Sequence, residues 1–300
     1  MIWKGVMPAM TTAFKSDLSL DHQAIAKRAK WMIDSGCTGL ILLGSLGEAT
    51  ALTQDEKRTV LEIGRDAVGP NVPVVSAISG LATADTVNLA KMAEKAGADG
   101  LMVLPPYVYK GDWREMKAHI AAIFRATDLP CMLYNNPIAY GTDFTPQQIV
   151  ELANEHPNFM AVKESSTDVR RVTSIQTLLG NRLALFVGVD DAIVEAIAAG
   201  ATGWVAGLVN AFPEESVRVF NLAMEGNFNE AFALYRWFLP LLRLDTVPKF
   251  IQLIKLTEER IGVGTAYVRP PRLELTGAER EEALAIIDAS MANRPTLALV

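Results

Sequence analysis

The chain has 300 residues, and half of them are hydrophobic, so enough apolar surface is available for a large core. A formal net charge of −6 without a basic cluster argues against nucleic acid as a partner. No apolar run approaches the roughly 18 residues that a membrane-spanning helix needs, which argues against a membrane partner. Two cysteines in apolar surroundings, together with the lack of a signal-peptide pattern, predict a cytoplasmic protein with reduced thiols.

Eight short runs of apolar, β-prone residues recur along the chain as far as residue 207. The runs are continuous rather than alternating in polarity, which is typical of parallel strands that are covered on both faces. We therefore predict a buried parallel sheet. Its strands are expected at Gly5–Thr11, Gly39–Gly44, Pro73–Ile78, Gly100–Pro105, Pro130–Asn135, Phe159–Glu164, Leu183–Gly188 and Thr202–Gly207.

Stretches with helical periodicity fill most intervals between these runs. Two of them open on recognisable start signals, because Thr53 precedes an acidic first turn and Thr145 precedes a proline. After residue 212 the pattern becomes helical only. The predicted helices are Gln23–Asp34, Gln54–Val68, Ala84–Ala96, Trp113–Ala126, Thr145–Asn154, Val169–Leu179, Asp191–Ala199, Glu214–Met224, Phe228–Leu242, Pro248–Ile261 and Ala278–Ala292.

Strands that alternate with helices in this way require parallel βαβ units, which build either a closed barrel or an open doubly wound sheet. An open sheet usually carries a glycine-rich phosphate loop after its first strand, whereas this chain has Pro8–Thr12 there. We therefore predict an α/β fold, a (β/α)8 TIM barrel, in residues 1–225. Residues 226–300 are expected to form an extra C-terminal helical extension that packs on the barrel or builds a subunit interface.

Lys163 is the most informative residue at the predicted strand ends, where such barrels place their working side chains. It follows an apolar strand directly, so its amine is expected in or near the barrel core. Burial of an unpaired ammonium is costly and lowers the amine pKa, and a neutral amine is the form that attacks a ketone. The alternative is a structural ion pair between Lys163 and a carboxylate such as Glu164 or Asp190.

Two further strand ends carry groups that suit a small acid as substrate. Tyr134 ends strand five, where its phenol could carry a proton, although a strand-end tyrosine is more often a packed ring. The turn Gly44–Gly47 offers consecutive backbone N–H groups and the Ser45 hydroxyl, and a carboxylate can bind to such a turn. By itself, a glycine-flanked turn is weak evidence of a site.

No metal site is expected. The three histidines fall in separate predicted helices or at a helix end, without metal-like spacing. Asp190 and Asp191 lack a third ligand, and capping the start of a helix is the simpler role for one of them.

In combination, three segments of this chain resemble the dihydrodipicolinate synthase / N-acetylneuraminate lyase superfamily. The segments are Gly44–Glu48, Tyr134–Pro137 and Lys163–Glu164. The resemblance covers essentially the whole chain, including the helical tail. It implies a (β/α)8 barrel that forms a homo-oligomer, a tetramer or a dimer, and that needs no cofactor because a lysine performs the covalent chemistry.

The resemblance also implies a role for each matching residue. Lys163 is expected to form the Schiff base, Tyr134 to act as general acid and base, and Ser45 to supply a catalytic hydroxyl. The backbone of Ser45 and Leu46 is expected to hold the carboxylate of a small 2-oxo acid substrate. The other substrate-binding residues are expected at the ends of strands seven and eight: Gly188, Asp190, Val205 and Gly207.

The chain departs from the synthase pattern at three positions. Leu46 stands where the loop usually has a second hydroxyl residue, and Val108 stands at the position of a tyrosine that relays protons across subunits. Ala139 replaces an arginine that binds the carboxylate of the second substrate. Loss of such a bidentate clamp removes charged hydrogen bonds that contribute about 1.5–3 kcal/mol each. These departures argue against the synthase reaction of lysine biosynthesis.

The segment Asn135–Gly141 resembles members that act in hydroxyproline breakdown, so the favoured prediction is a 1-pyrroline-4-hydroxy-2-carboxylate deaminase. In that reaction Lys163 would exchange into the cyclic imine, the C4 hydroxyl would leave as water, and hydrolysis would free ammonia. The alternative is a pyruvate-dependent aldolase or dehydratase that resembles dihydrodipicolinate synthase, N-acetylneuraminate lyase or the enzymes of 2-keto-3-deoxy sugar acids.

Two other classes of protein remain open. A non-catalytic barrel could bind a 2-oxo acid as a sensor, although a binder has no need of a nucleophilic amine at Lys163. A phosphate-binding metabolic barrel would require a glycine-rich loop after strand seven or eight, and the segment 206–209 is a poor candidate for one.

Overall fold

The computed structural model describes residues 3–296. Residues 1–2 of the predicted barrel segment and residues 297–300 of the predicted C-terminal extension lie outside the described residues. Eight parallel strands pair in the order β1-β8-β7-β6-β5-β4-β3-β2. A single parallel bridge between Ala9 and Ile41 joins β1 to β2 and completes the circle. The strands are β1 Gly5–Pro8, β2 Leu40–Leu42, β3 Val74–Ile78, β4 Gly100–Val103, β5 Cys131–Asn135, β6 Phe159–Glu164, β7 Ala184–Val187 and β8 Gly203–Ala206.

Helices alternate with the strands, and together they confirm the predicted TIM barrel. Thr53 accepts a hydrogen bond from the backbone of Glu56, and Thr145 accepts one from Gln148, so both start signals act as caps. The helices are α1 His22–Asp34, α2 Gln54–Val68, α3 Thr83–Lys95, α4 Trp113–Phe124, α5 Pro137–Tyr140, α6 Pro146–Glu155, α7 Arg170–Leu179, α8 Ile193–Ala198, α9 Pro213–Met224, α10 Phe228–Leu242, α11 Phe250–Arg260 and α12 Gly277–Ala292. Short 3-10 helices occur at Ala49–Ala51, Asp190–Ala192, Leu208–Asn210 and Arg243–Asp245.

Helices α10 to α12 follow the eighth β/α unit and pack against it. Phe212, just before α9, contacts Trp237 and Phe238 of α10 edge-to-face, with ring centroids 6.4 and 5.8 Å apart. Division of the chain at residue 225 into barrel and extension stays a prediction. Among residues 3–296, no helix combines the length and the apolar character that a membrane crossing requires.

Helix α5 is the one α-helix that the sequence pattern does not predict. The Asn136 side chain accepts a hydrogen bond from Ala139 N at 3.0 Å and thereby caps its start. Gly141 ends it with φ of 70°, a conformation that glycine adopts without strain. This single turn fixes Tyr140 at the mouth of the barrel.

A buried ion pair ties the loop after β2 to the C-terminal helices. Lys255 of α11 is 1% exposed, and its Nζ lies 2.5 Å from Oε1 of Glu48, which is fully buried. The second Glu48 oxygen accepts the backbone N–H of Arg269 at 2.9 Å. Glu48 itself adopts a left-handed conformation, with φ of 52°, that is unfavourable for a side chain bearing a Cβ. The pair therefore holds a strained loop in place.

Lys255→Met is expected to lower the free energy of unfolding by about 3–5 kcal/mol, because it removes the close cation of the buried Glu48 charge and leaves only Arg272, 3.9 Å away. Denaturant titration followed by circular dichroism measures this change. Lys249→Met is the matched control, since Lys249 forms a half-exposed pair with Glu279, and the expected loss is below about 1 kcal/mol. Equal losses in the two variants would contradict the structural role of the buried pair.

Candidate active site

A cavity of about 620 Å³ opens at the C-terminal ends of the strands. Every predicted site residue lines this cavity except Asp190. The predicted residues that it brings together are Ser45, Leu46, Tyr134, Lys163, Gly188, Val205 and Gly207. The segment 245–248, between α10 and α11, closes one side of the cavity.

Lys163 is the penultimate residue of β6 and lines the cavity, with only 6% of the residue exposed. Its Nζ lies 3.9 Å from the centre of the Tyr134 ring. No carboxylate of residues 3–296 comes within ion-pair distance of it. Of the two alternative partners considered, Glu164 lies 4.0 Å from Arg171 and Asp190 accepts hydrogen bonds from Trp204, Gly207 and Leu208. Burial therefore lowers the Lys163 pKa, against the opposing influence of Tyr140 and buried carboxyl groups nearby.

Tyr134 lies in register with Lys163 on the neighbouring strand β5. Burial raises the pKa of its phenol, which keeps the group protonated before the substrate binds. The Asn136 amide donates to the Tyr134 oxygen at 3.1 Å and orients it. The Tyr140 ring contacts it edge-to-face, with centroids 5.7 Å apart, and the Tyr140 hydroxyl lies 2.5 Å from Ser45 Oγ. Three hydroxyl groups therefore converge beside the amine.

The turn after β2 presents backbone donors to the cavity. No oxygen in the described part of the chain accepts the backbone N–H of Ser45 or that of Leu46. Leu46 is 3% exposed and surrounds these donors with apolar surface, which strengthens a hydrogen bond to a bound anion. An added Cβ on Gly47 would lie 3.1 Å from the backbone N of Leu43, so a glycine keeps the turn tight. The turn can hold a carboxylate.

Glycines at the ends of β7 and β8 make room for the chemistry. A Cβ on Gly188 would lie 2.1 Å from Lys163 Cε and 2.2 Å from Ser165 Oγ, so only glycine lets the lysine occupy its position. Gly207 and Val205 line the same side of the cavity. The Asp245 carboxyl group rests against Gly207 on this side, so glycine at the end of β8 makes room for it.

Asp190 lies beneath the cavity and not in its lining. Its carboxylate is fully buried and accepts hydrogen bonds from Trp204 Nε1 at 3.0 Å, Gly207 N at 3.1 Å and Leu208 N at 2.7 Å. Burial raises its pKa to about 6. The side chain thus caps the 3-10 helix that begins at Leu208, and it fixes the β8 end instead of facing a substrate.

The cavity residues that were not predicted as site residues include Tyr140, Ser165, Asp245 and Arg272. Ser165 lies two positions after Lys163, so its place just after strand six is the sequence feature that could have indicated it. Asp245 falls between two predicted helices of the tail, where only the interruption of helical periodicity marks it. Among the described residues, no cluster of three His, Cys, Asp or Glu side chains could hold a metal ion.

Comparison with known proteins identifies the family. The model of the dihydrodipicolinate synthetase family matches residues 2–290. A 4-hydroxy-tetrahydrodipicolinate synthase of Acidothermus cellulolyticus is 34% identical over 274 residues, which cover 91% of this chain and 88% of that protein. The enzyme of the same name from Pelobacter propionicus is 29% identical over 290 residues, covering 95% and 98% of the two chains.

Solved structures show the same architecture. Dihydrodipicolinate synthase DapA-2 of Bacillus anthracis superposes with a TM-score of 0.92 at 26% identity, covering 96% of this chain and 99% of that one. YagE, a prophage protein of Escherichia coli K12 solved in complex with pyruvate, superposes with a TM-score of 0.90 at 25% identity, covering 97% and 99%.

The barrel and the buried lysine at its mouth define a class I lyase, an enzyme of the Schiff-base type. The chain belongs to the dihydrodipicolinate synthetase family.

Proposed function

We propose that this enzyme forms a Schiff base between Lys163 and pyruvate or a closely related small 2-oxo acid. One observation carries the proposal: a buried amine without a carboxylate partner opens into a cavity beside a buried phenol. Such an amine loses its proton more readily than an exposed lysine does, and the neutral form is the nucleophile. A structural lysine would instead be neutralised by an ion pair.

The geometry supports a sequence of steps. The substrate carboxylate binds the N–H groups of Ser45 and Leu46, which places its carbonyl carbon C2 within reach of Lys163. The amine attacks C2, a proton moves from nitrogen to oxygen, and the C2–O bond breaks as Tyr134 protonates the leaving oxygen. Water departs, and a protonated imine remains. The phenolate of Tyr134 then removes a proton from C3 and leaves an enamine.

The hydroxyl groups of Ser45 and Tyr140 supply a proton route within one chain. The Tyr140 hydroxyl lies 2.5 Å from Ser45 Oγ and interacts by a hydrogen bond with the Tyr134 hydroxyl, so the three hydroxyl groups form a chain. We propose that this route replaces the tyrosine of a neighbouring subunit, for which this chain has Val108. Val108 is 73% exposed, and we propose that a second copy of the chain covers its loop in a homo-oligomer, a tetramer or a dimer.

The relatives named above support pyruvate as the compound to test first, because YagE was solved with pyruvate bound. The relatives from Acidothermus cellulolyticus and Pelobacter propionicus are named 4-hydroxy-tetrahydrodipicolinate synthases. These names favour a pyruvate-dependent reaction over the deamination expected from the sequence. One observation keeps deamination of 1-pyrroline-4-hydroxy-2-carboxylate as a second candidate. Ala139 lines the cavity where the synthase pattern has a carboxylate-binding arginine, so that contact with a second carboxylate is missing; the guanidinium that does line the cavity, that of Arg272, lies 3.9 Å from Glu48.

Reductive trapping tests the proposal. The protein is incubated with pyruvate, borohydride is added, and the adduct is located by peptide mapping. We expect one reduced pyruvyl group per chain, attached to Lys163. Lys57, which is also partly buried but lies on α2 away from the cavity, serves as the internal control and is expected to stay unmodified. Absence of an adduct on Lys163 with pyruvate and with the hydroxypyrroline carboxylate would rule out the proposed function.

A further inference from the structure

Asn135 and Glu164 are two buried polar residues that directly follow Tyr134 and Lys163 in the chain. In the register of strands β5 and β6, Asn135 lies opposite Glu164. Asn135 is fully buried and Glu164 is 5% exposed, and neither residue lines the cavity. Because successive side chains of a strand point to opposite faces, this pair lies on the outer face of the barrel wall whose inner face carries the phenol and the amine. Any effect of the pair on the reaction is therefore exerted through its neighbours.

The Asn135 carboxamide uses both of its polar atoms. Its Oδ1 accepts the backbone N–H of Phe144 at 2.9 Å, and its Nδ2 donates to Glu164 Oε2 at 3.1 Å and to Asp143 Oδ1 at 3.2 Å. The backbone carbonyl of Asn135 accepts the N–H of Ser165 at 2.8 Å. One residue thus ties the end of β5 to the end of β6 and to the segment that leads into α6.

Glu164 is held from two further directions. Its Oε1 accepts the backbone N–H of Ser166 at 2.7 Å, and Arg171 of α7 lies 4.0 Å from its Oε2. Arg171 also donates to both carboxylate oxygens of Asp143, at 2.7 and 2.6 Å. These contacts join the side chains of Asn135, Asp143, Glu164 and Arg171 into one network. A buried polar network whose members all have partners is rigid, so the strand ends that carry the reacting groups are fixed relative to each other.

The same network closes the loop that carries Tyr140. The ends of this loop meet at Asn135, whose side chain bonds to residues eight and nine positions further along the chain. Closing a loop at its base removes conformational freedom from the residues between, which include all of α5. The Tyr140 ring at the end of α5 packs edge-to-face on Tyr134. Asn135 therefore fixes the positions of both tyrosines.

We propose that Asn135 is a positioning residue of the Schiff-base reaction: its carboxamide holds the hydroxyl groups of Tyr134 and Tyr140 beside the reacting amine. This role rests on the proposed Schiff base at Lys163. The amine lies 3.9 Å from the centre of the Tyr134 ring, and the hydrogen bond from Asn135 to Glu164 joins the two strand ends that carry these groups. A displacement of about 1 Å at a reacting group can cost about 10²-fold in rate, so loss of this link slows proton transfer.

Exchange of the C3 protons of pyruvate with deuterated water tests this role, because exchange needs the phenol after the imine has formed. In Asn135→Ala the exchange rate at saturating pyruvate is expected to fall about 10–10²-fold. Borohydride trapping at saturating pyruvate is expected to label Lys163 once per chain, as in the wild type. The pyruvate concentration that half-saturates exchange is expected to stay near the wild-type value, since the turn after β2 is not part of the network.

Asn158→Ala is the matched control. Asn158 directly precedes β6, at the opposite end of the strand that carries Lys163, and does not line the cavity. Its carboxamide also joins separate elements, because it donates to the backbone carbonyls of Phe124 at 2.8 Å and Thr127 at 3.1 Å. The control variant loses hydrogen bonds of the same kind and is expected to keep the wild-type exchange rate.

A double-mutant cycle distinguishes positioning from general damage to the fold. Because Asn135 acts through the phenol, Asn135→Ala is expected to have little further effect on exchange in the Tyr134→Phe protein. Circular dichroism verifies that each variant is folded. If Asn135→Ala does not fold, Asn135→Ser takes its place, since the smaller polar side chain leaves room for a water molecule, and the same pattern is expected.

The outcomes separate this role from the proposed function. If the wild-type protein forms no adduct on Lys163, the proposed function fails. If the wild type traps pyruvate and the folded Asn135 variant exchanges the C3 protons at the wild-type rate, only the positioning role fails. An equal loss of exchange in Asn158→Ala, or an undiminished effect of the Asn135 substitution in the Tyr134→Phe protein, would also overturn this role.

Discussion

Lys163→Met is expected to lose turnover by at least about 10⁴-fold, the scale on which removal of a covalent nucleophile acts in other enzymes. Methionine fills nearly the same volume in the apolar strand end, so the variant is expected to fold. The physical reason for the loss is that Lys163 is the only lysine among the described residues that line the cavity. Arg272 also lines it, but its guanidinium stays charged and is not a nucleophile. Steady-state kinetics with the substrate that the trapping experiment selects measures the effect.

The control for this variant removes a lysine that has only surface partners. Lys117→Met breaks ion pairs with Glu151 and Glu155 on the outer helices and is expected to keep wild-type turnover. Circular dichroism verifies that both proteins are folded. A folded Lys163→Met protein with wild-type activity would refute covalent catalysis at this position.

Tyr134→Phe is expected to lower kcat about 10²–10⁴-fold, which is the usual contribution of a positioned general acid and base. The ring stays under the Lys163 amine and against Tyr140, so the variant removes only the hydroxyl group. Because the C3 proton transfer depends on that hydroxyl, exchange of the C3 protons of bound pyruvate with deuterated water is expected to slow by a similar factor. Proton NMR of pyruvate follows this exchange directly.

Tyr235→Phe is the matched control, because Tyr235 is a second buried tyrosine whose hydroxyl bonds to the backbone of Asp191 and does not reach the cavity. It is expected to keep the exchange rate. If Tyr134→Phe exchanged the C3 protons as fast as the wild type, another group would be the base. Asn136 orients the phenol, but a carboxamide is not a base near neutral pH. The next candidate for the base would therefore be Ser45.

The barrel could be predicted because its strands are buried on both faces. Continuous apolar runs such as Leu40–Leu42 are buried on both faces, and side-chain caps or glycines mark the ends of several helices, as Thr53 and Gly69 do for α2. Five of the eight predicted strands extend beyond the observed ones at their C-terminal ends, for example Gly5–Thr11 against Gly5–Pro8, whereas the third, fifth and sixth end as predicted. The chain leaves the ladder there to build the mouth of the barrel, and apolar side chains continue because the mouth is also covered.

The site could be predicted where function interrupts a strand pattern. Lys163 is a charge at the end of an apolar strand, and such a local conflict is visible in the sequence. Tyr140 was missed as a site residue because its helix of four residues is too short to show periodicity. Asp245 was missed because its approach to the cavity depends on how α10 packs against α8 and α9, which no local pattern encodes.

The position of Asp190 illustrates the same limit. Its place after β7 suggested a substrate contact, whereas the structure directs its carboxylate to the backbone of Gly207 and Leu208. Unpaired N–H groups at the start of a 3-10 helix are strong donors, and a buried carboxylate satisfies them. Sequence spacing alone does not distinguish this cap from a ligand contact.

The central claim is that burial lowers the pKa of the Lys163 amine and so favours its neutral, nucleophilic form, and an NMR titration of the lysine side chains tests it most directly. Protein labelled with ¹³C at lysine Cε is titrated, and the Lys163 resonance is assigned as the one that disappears in Lys163→Met. The account predicts that this resonance changes with a midpoint below the ordinary lysine value of 10.5. A midpoint at or above 10.5 would mean that the folded protein stabilises the ammonium, and it would contradict the mechanism.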